Sequence, residues 1–369
     1  MPKISETTLE IDMTALEHNY RFLRSRLHPK TKFLAVVKAY AYGSDAVQIA
    51  TRLEALGVDY FAVAYVKEGI ALRKAGLQKP ILVLHPQHLN FDALIKNCLE
   101  PSIYSPKVLR EFLEAAKRNE QKEYPVHLKF NTGLNRLGFH EKEIEGIVKS
   151  LEGRKELKVA SVFSHLAASE DMKEQDFTER QIASFSKIAG LVTKKLGYSP
   201  FKHLLNTSGI LNYPKAQFDM VRSGIGLYGF GNDIKIDAEF EPVVTLKTII
   251  SQIHHIAPNE SVGYNRAFSS KGVTVTATLP LGHADGIGRQ YGNGKAWVNV
   301  NGKMAPIIGN VCMDMIMIDV TGIACKEGDE VIVFGKKPTA EEFAAYANTI
   351  SYELITGLSQ RVTRILKGL

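Results

Sequence analysis

The chain has 369 residues, 45% of them hydrophobic and 23% charged, the make-up of an ordinary globular protein long enough for two domains. Its formal charge of +7 is modest and spread over scattered lysines and arginines, with no Arg-rich arm or basic-aromatic interleaving, which argues against a nucleic-acid partner. Cys98, Cys312 and Cys325 are odd in number and lack metal-ligand spacing, which argues against a metal site or disulfide framework and for a reducing compartment.

The opening Met1-Pro-Lys-Ile-Ser-Glu has no apolar core for a signal peptide, and no apolar run reaches transmembrane length, so a cytoplasmic protein with no membrane partner is expected. Residues 6–12 alternate apolar and polar, as a half-buried strand does, and Asp12 can cap a helix carrying Leu16, Tyr20, Leu23 and Leu27 at helical spacing. Next comes Phe33-Leu-Ala-Val-Val-Lys38, an apolar run closed by a lysine and followed by a turn with Tyr42 and Gly43. Such a run reads as a strand buried on both faces, as in a parallel sheet. Lys38 then has two readings: a head that snorkels to the surface, or an amine kept partly desolvated to form a Schiff base.

A regular rhythm follows, in which helices such as 45–56 alternate with apolar strands at 33–38, 60–65, 80–84, 101–104, 126–131, 159–164, 203–206 and 219–222. Eight strand-helix steps predict an α/β fold, an N-terminal (β/α)8 TIM-like barrel. Near Phe230 the rhythm gives way to β-rich runs at 243–256, 273–280, 296–300, 305–320 and 330–334, with tight turns at Gly292-Asn-Gly294 and Asn301-Gly302 and a helix at 340–354. The expected domains are a barrel over residues 12–235 and a C-terminal β-rich domain over 236–369, with residues 1–11 added to it as a strand.

Barrels of this kind carry their sites at the C-terminal ends of the strands. Those ends present Lys38 and Tyr42, then Lys129 and Arg136, His165, Asn206-Thr-Ser-Gly and Arg222-Ser-Gly-Ile-Gly. The small residues closing the last two strands make a phosphate cup from backbone N–H groups and a hydroxyl. A phosphate cup beside a lysine and an arginine suggests pyridoxal phosphate, with Lys38 as the Schiff-base amine.

These residues resemble the alanine racemases, pyridoxal-phosphate enzymes with a barrel and a C-terminal β-domain, along essentially the whole chain. Val36-Val-Lys-Ala-Tyr-Ala-Tyr-Gly43 resembles the cofactor-lysine motif, Asn206-Thr-Ser-Gly and Val221-Arg-Ser-Gly-Ile the phosphate and ring-nitrogen motifs, Ser261-Val-Gly-Tyr264 the second-base segment, and Gly309-Asn-Val-Cys-Met-Asp314 the substrate loop. The resemblance implies pyridoxal 5′-phosphate as cofactor, held by Lys38, Tyr42, His165, Asn206, Thr207, Arg222, Gly224 and Ile225. It implies Lys38 and Tyr264 as the two catalytic bases, and Arg136 and the main-chain N–H of Met313 for the carboxylate of an amino-acid substrate. Lys129, carbamylated in some members, would position Arg136. It also implies a homodimer with shared sites, because the Tyr264 equivalent comes from the partner subunit, and a role in supplying D-alanine to peptidoglycan.

Three departures stand out. Tyr40 and Ser44 replace an Asn and a His in the cofactor motif, and the entrance positions carry His283 and Gln360 where tyrosines are usual. The polar entrance residues keep open a broad-specificity racemase of the same fold. A non-catalytic pyridoxal-phosphate-binding barrel is the other alternative, against which the β-domain and Tyr264 argue.

Overall fold

The computed structural model describes residues 6–231 and 238–368. They form two compact units, one of Leu16–Ala41 and Ala46–Glu241, the other of the residues before Leu16, Tyr42–Asp45 and the chain from Pro242 onward. The expected boundary at 235/236, and residues 1–5 of the added strand, lie outside the described residues.

In chain order the first strand, β1 (Thr8–Asp12), is followed by eight barrel strands. These are β2 (Lys32–Val36), β3 (Tyr60–Val63), β4 (Ile81–Val83), β5 (Glu100–Ile103), β6 (Tyr124–Lys129), β7 (Leu157–Phe163), β8 (Phe201–His203) and β9 (Met220–Ser223). All pair in parallel, and β9 closes the barrel on β2, with Phe33 opposite Val221. The strands are apolar runs because both faces are covered: Phe33, Leu34, Ala35 and Val36 are all buried. Local signals set the helices. Before Pro106–Arg118, Ser105 Oγ accepts from the Val108 N–H and Pro106 fills the first position, while Val108, Leu109, Phe112, Ala115 and Ala116 face the barrel core. Gly197, at φ 75°, ends the helix Gln175–Leu196.

Two differences from the expected barrel strands bear on the site. The strand expected over 33–38 stops at Val36, and Lys38 opens a separate helical turn, Lys38–Gly43. The strand expected over 203–206 ends at His203, because Asn206 leaves the ladder to cap the helix Thr207–Asn212, its Oδ1 accepting from the Gly209 N–H at 2.9 Å.

Register determines what the barrel interior holds. His127 and Lys129 share a face of β6 and lie opposite Ser161 and Phe163 of β7, while Phe163 lies opposite His203 of β8. Where such barrels usually stack branched aliphatics, this one carries two histidines, a serine, a lysine and an arginine, all buried.

The β-rich unit is built on a nine-stranded sheet among the described residues. Its remaining strands are β10 (Val244–Ile249), β11 (Gln252–Ile256), β14 (Thr274–Leu279), β15 (Trp297–Val300), β16 (Lys303–Ile308), β17 (Ile316–Asp319), β18 (Glu330–Phe334) and β19 (Thr363–Lys367), with β12 (Ser261–Val262) and β13 (Phe268–Ser269) paired separately. The strand order is β11-β14-β17-β16-β15-β18-β10-β1-β19. β1 joins this sheet, antiparallel to β10 and parallel to β19. Three expected elements are divided. The run 243–256 is β10 and β11, since the chain changes neighbours between them, from β18 to β14. The run 305–320 is β16 and β17, parted by a loop that starts at Gly309 with φ 64°. The helix 340–354 is two turns, Ala340–Ala345 and Ser351–Thr356, with Asn348 left-handed between them. Asn301 and Gly302 both have positive φ, as the expected tight turn between β15 and β16 requires.

Candidate active site

Lys38 sits at the head of an unusual backbone segment. Ala39, Tyr40, Ala41 and Tyr42 have φ of 52°, 56°, 54° and 55°, so the turn Lys38–Gly43 is a left-handed helix built from L-residues. Each such residue costs about 1–2 kcal/mol, so the turn persists only because its surroundings impose it. Glu68 is one of these surroundings: its carboxylate accepts from the Ala39 N–H at 2.7 Å and from the Ala64 and Tyr65 N–H groups at 2.7 and 2.9 Å. At the other end, Arg364 donates to the Gly43 carbonyl at 2.9 Å. Gly43, at φ 83°, leaves no room for a side chain, since a Cβ there would lie 1.9 Å from the Ile355 carbonyl oxygen. Burial, and next the Arg136 charge, pull the Lys38 amine below the ordinary lysine range, with Glu68 opposing.

The cations around Lys38 suppress one another. Lys129, buried at the end of β6, is lowered to about 8 by burial and by Arg136, Arg222 and Lys38. His165 is pushed well below its usual value by burial and then by Arg222, Arg136, Lys129 and Lys38, so it is neutral. Arg222, buried on β9, is brought down by burial to about 9 and keeps its charge at neutral pH. Its Nη2 donates to the carbonyls of Ser164 and Leu204 at 2.7 and 2.9 Å and lies 3.3 Å from His165 Nδ1, while Nη1 lies 2.8 Å from His203 Nδ1. Its Nε–H is not among the donors these bonds use. A cluster that holds down its own lysines is short of negative charge, and an anionic ligand supplies what it lacks.

Beside Arg222 the chain forms a small cradle. Thr207 Oγ1 lies 3.0 Å from Ser223 Oγ and accepts from the Gly226 N–H at 3.3 Å. The turn Ile225–Tyr228 follows β9 through Gly224, and the opening N–H groups of such a turn have no partner within it. A Cβ on Gly226 would fall 2.6 Å from Thr207 Cγ2, so only glycine keeps the cradle open. Hydroxyl, bare amides, a desolvated amine and a buried guanidinium suit a phosphorylated aldehyde on a pyridine ring. Asn206 serves as a helix cap here, and also accepts from Ser169 Oγ at 2.8 Å.

Arg136 lies in the barrel unit, exposed on the loop after β6, and the remaining sequence-derived residues belong to the β-rich unit. Tyr42 is buried there, its ring 6.1 Å from that of Tyr352, a neighbour the sequence reading did not single out. Tyr264 and Met313 are exposed, at 73% and 59%, and so are His283 and Gln360. Asn310 holds the Tyr264 loop, donating to its carbonyl at 3.0 Å. Gly282 lets two loops close together, since a Cβ there would lie 2.4 Å from the Cys312 and Met313 carbonyl oxygens. The His283 and Ala284 N–H groups donate to those same carbonyls, each at 3.0 Å. Arg361, next to Gln360, reaches Asp285 and Asp314 in these loops, at 2.7 and 2.8 Å. His283, Gln360 and Met313 therefore belong to one local framework.

The barrel thus gathers Lys38, Lys129, His165, Thr207, Arg222, Gly224 and Ile225. Sequence reasoning missed His203 and Ser164, which bind Arg222 from inside the barrel. A position of fully buried type taken by a histidine, as by His203 just before Leu204-Leu205, is the signal that could have found them.

The family model for the alanine racemase N-terminal domain matches residues 11–231, and that for the C-terminal domain matches residues 243–366. An alanine racemase of Thermodesulfovibrio yellowstonii is 38% identical, covering 96% of each chain. The solved alanine racemase of Bacillus anthracis, with bound L-Ala-P, superposes with a TM-score of 0.92 at 30% identity over 100% of this chain and 96% of that one. That of Bartonella henselae, with covalently bound pyridoxal phosphate, gives 0.90 at 29% over 98% and 100%. With both domain models matched and relatives aligned over nearly the full length, the chain belongs to the alanine racemase family.

Proposed function

We propose that this chain interconverts L-alanine and D-alanine with pyridoxal 5′-phosphate as cofactor, using one base on each face of the substrate. The observation that carries this reading is the desolvated Lys38 amine, set among mutually repelling cations beside the glycine-lined Thr207 cradle. When bound, the cofactor supplies an electron sink for the pair left as the substrate Cα–H bond breaks.

Lys38 Nζ holds the cofactor, and a lowered pKa keeps more of it as free amine, the form that can take a proton. Nζ then moves the Cα proton on one face, and Tyr264 Oη moves it on the other. Thr207, Gly224, Ile225 and Tyr42 bind the phosphate. With the cofactor bound, Arg222 would donate to the ring nitrogen and retain its own proton, which would leave that nitrogen uncharged and the sink moderate. His165 lines the site beside it.

Arg136 and the Met313 N–H bind the substrate carboxylate. Lys129, as an ammonium, repels Arg136; as a carbamate it would attract and orient it. Tyr264 comes from a second copy of the chain, in a homodimer with shared sites, and its 73% exposure suits that role. No described helix is long and apolar enough to cross a membrane. We place the enzyme in the cytoplasm, supplying D-alanine for peptidoglycan.

Borohydride reduction of the yellow holoenzyme, followed by peptide mapping, tests the assignment. The cofactor should be fixed to the peptide containing Lys38, and a label on another lysine would overturn it.

A further inference from the structure

An unbroken line of hydrogen bonds crosses the barrel interior from Arg222 to Glu100. Arg222 Nη1 lies 2.8 Å from His203 Nδ1, and His203 Nε2 lies 2.8 Å from Ser161 Oγ. Ser161 Oγ lies 2.6 Å from His127 Nδ1, and His127 Nε2 lies 2.6 Å from Glu100 Oε2. His127, Ser161 and His203 are fully buried. Glu100 is the first residue of β5, at the barrel end opposite the strand termini that carry Lys38 and Arg222.

The chemistry of each group gives this line one direction. A guanidinium only donates, so His203 Nδ1 accepts and its single proton sits on Nε2. That N–H donates to Ser161, whose hydroxyl proton then goes to His127 Nδ1. His127 is left with its proton on Nε2, facing a carboxylate, which only accepts. The far end therefore carries the one kind of group that can terminate the line. Tyr60 also bonds Glu100, and its ring meets His127 edge-on, with centroids 6.0 Å apart. On the inner side, Phe163 stacks on His203 at 4.8 Å and 13°, which holds that ring in plane.

We propose that Glu100 and His127 are positioning residues for Arg222: Glu100 holds His127 in the Nε2–H tautomer, so that His127 Nδ1 accepts from Ser161 and the Ser161 oxygen stays fixed on the Nε2–H side of His203, which keeps the guanidinium its acceptor and its aim at the cofactor ring. This rests on the role given to Arg222 above. Without the Glu100 acceptor, His127 is free to move its proton to Nδ1, and Ser161 then accepts from both sides. The Ser161 hydroxyl proton is left without its acceptor in the line, which loosens the hold on the His203 ring and through it on Arg222.

Nitrogen NMR of the histidine side chains, on holoenzyme and cofactor-free protein, reads the tautomers directly. His127 and His203 should both be Nε2–H tautomers; an Nδ1–H tautomer at either ring, or an imidazolium at His203, overturns the proposal, whatever the variants do. Glu100→Ala should then shift His127 toward the Nδ1–H tautomer and lower kcat for alanine on the order of tenfold, the scale of lost outer-shell partners, with little change in KM. Glu100→Gln, which keeps a carbonyl acceptor, should restore the single tautomer and most of kcat. Wild-type tautomers and kcat in Glu100→Ala would contradict the proposal. Absence of racemisation by the unmodified protein would instead refute the functional reading, while the tautomers remain readable.

Discussion

Arg361 meets Asp285 through two parallel bonds, Nε to Oδ1 at 2.7 Å and Nη2 to Oδ2 at 2.9 Å. Asp285 is buried and also accepts from the Gly282 N–H at 2.8 Å, so one carboxylate ties the His283 turn to the turn leading into β19. Asp285→Ala orphans that N–H and costs about 1–3 kcal/mol, read by urea denaturation. Arg361→Lys keeps the charge but loses the planar fork. It should raise KM for alanine more than it lowers kcat, because the Met313 loop loses its Asp314 contact. An unchanged KM would separate this clasp from substrate binding.

The left-handed turn gives a second test. Gly43 and Gly57 both have positive φ, but a Cβ at Gly57 meets nothing within 4 Å, whereas at Gly43 it strikes a backbone oxygen. Gly57→Ala should cost about 1–2 kcal/mol, the left-handed penalty alone. Gly43→Ala should destabilise far more and abolish cofactor binding, since the strand-to-turn path that places Lys38 is displaced. Equal effects in thermal melts would contradict this.

Lys129 makes stability depend on pH. Its amine titrates near 8 in the folded chain and near 10.5 unfolded, so between these values the unfolded state binds more protons and stability rises with pH. Below pH 8 the burial penalty is fully present, on the order of 3 kcal/mol. Lys129→Met should therefore stabilise the cofactor-free protein at neutral pH and flatten that rise. A steeper rise in the variant would reverse the assignment.

Sharing of sites between subunits is tested by mixing two inactive proteins, Lys38→Ala and Tyr264→Phe. If Tyr264 acts across a dimer, one of the two sites in each mixed dimer carries both wild-type residues, and a fully exchanged equimolar mixture, half of it mixed dimers, should recover toward about a quarter of wild-type activity. No recovery despite demonstrated subunit exchange would favour a site within one chain.

The barrel was legible because strands buried on both faces leave apolar runs, and its polar residues appear where those runs end: Lys38, Lys129, His165 and Arg222. The left-handed turn was not, since Ala-Tyr-Ala-Tyr carries no preference for positive φ and only Gly43 hints at it. The interior line from Arg222 to Glu100 escaped notice because its members lie on five strands and only barrel closure brings them together. Tyr352 was hidden for a similar reason, far along the chain from Tyr42. The strand β19 lacks buried residues and so shows no alternation.

The substrate is where one measurement bears most directly on the whole account. Chiral chromatography should be run on the purified protein with added pyridoxal 5′-phosphate and a panel of L-amino acids. Alanine should show the highest kcat/KM, since on the proposed reading Tyr42 and Tyr264 would crowd the side-chain space. Serine should turn over weakly, since a small apolar pocket discriminates against one added hydroxyl by only about 1–3 kcal/mol. A higher kcat/KM for lysine, arginine or glutamate would show that His283 and Gln360 open the site to longer side chains, contradicting the preference for alanine; no turnover of any amino acid would contradict the enzyme itself.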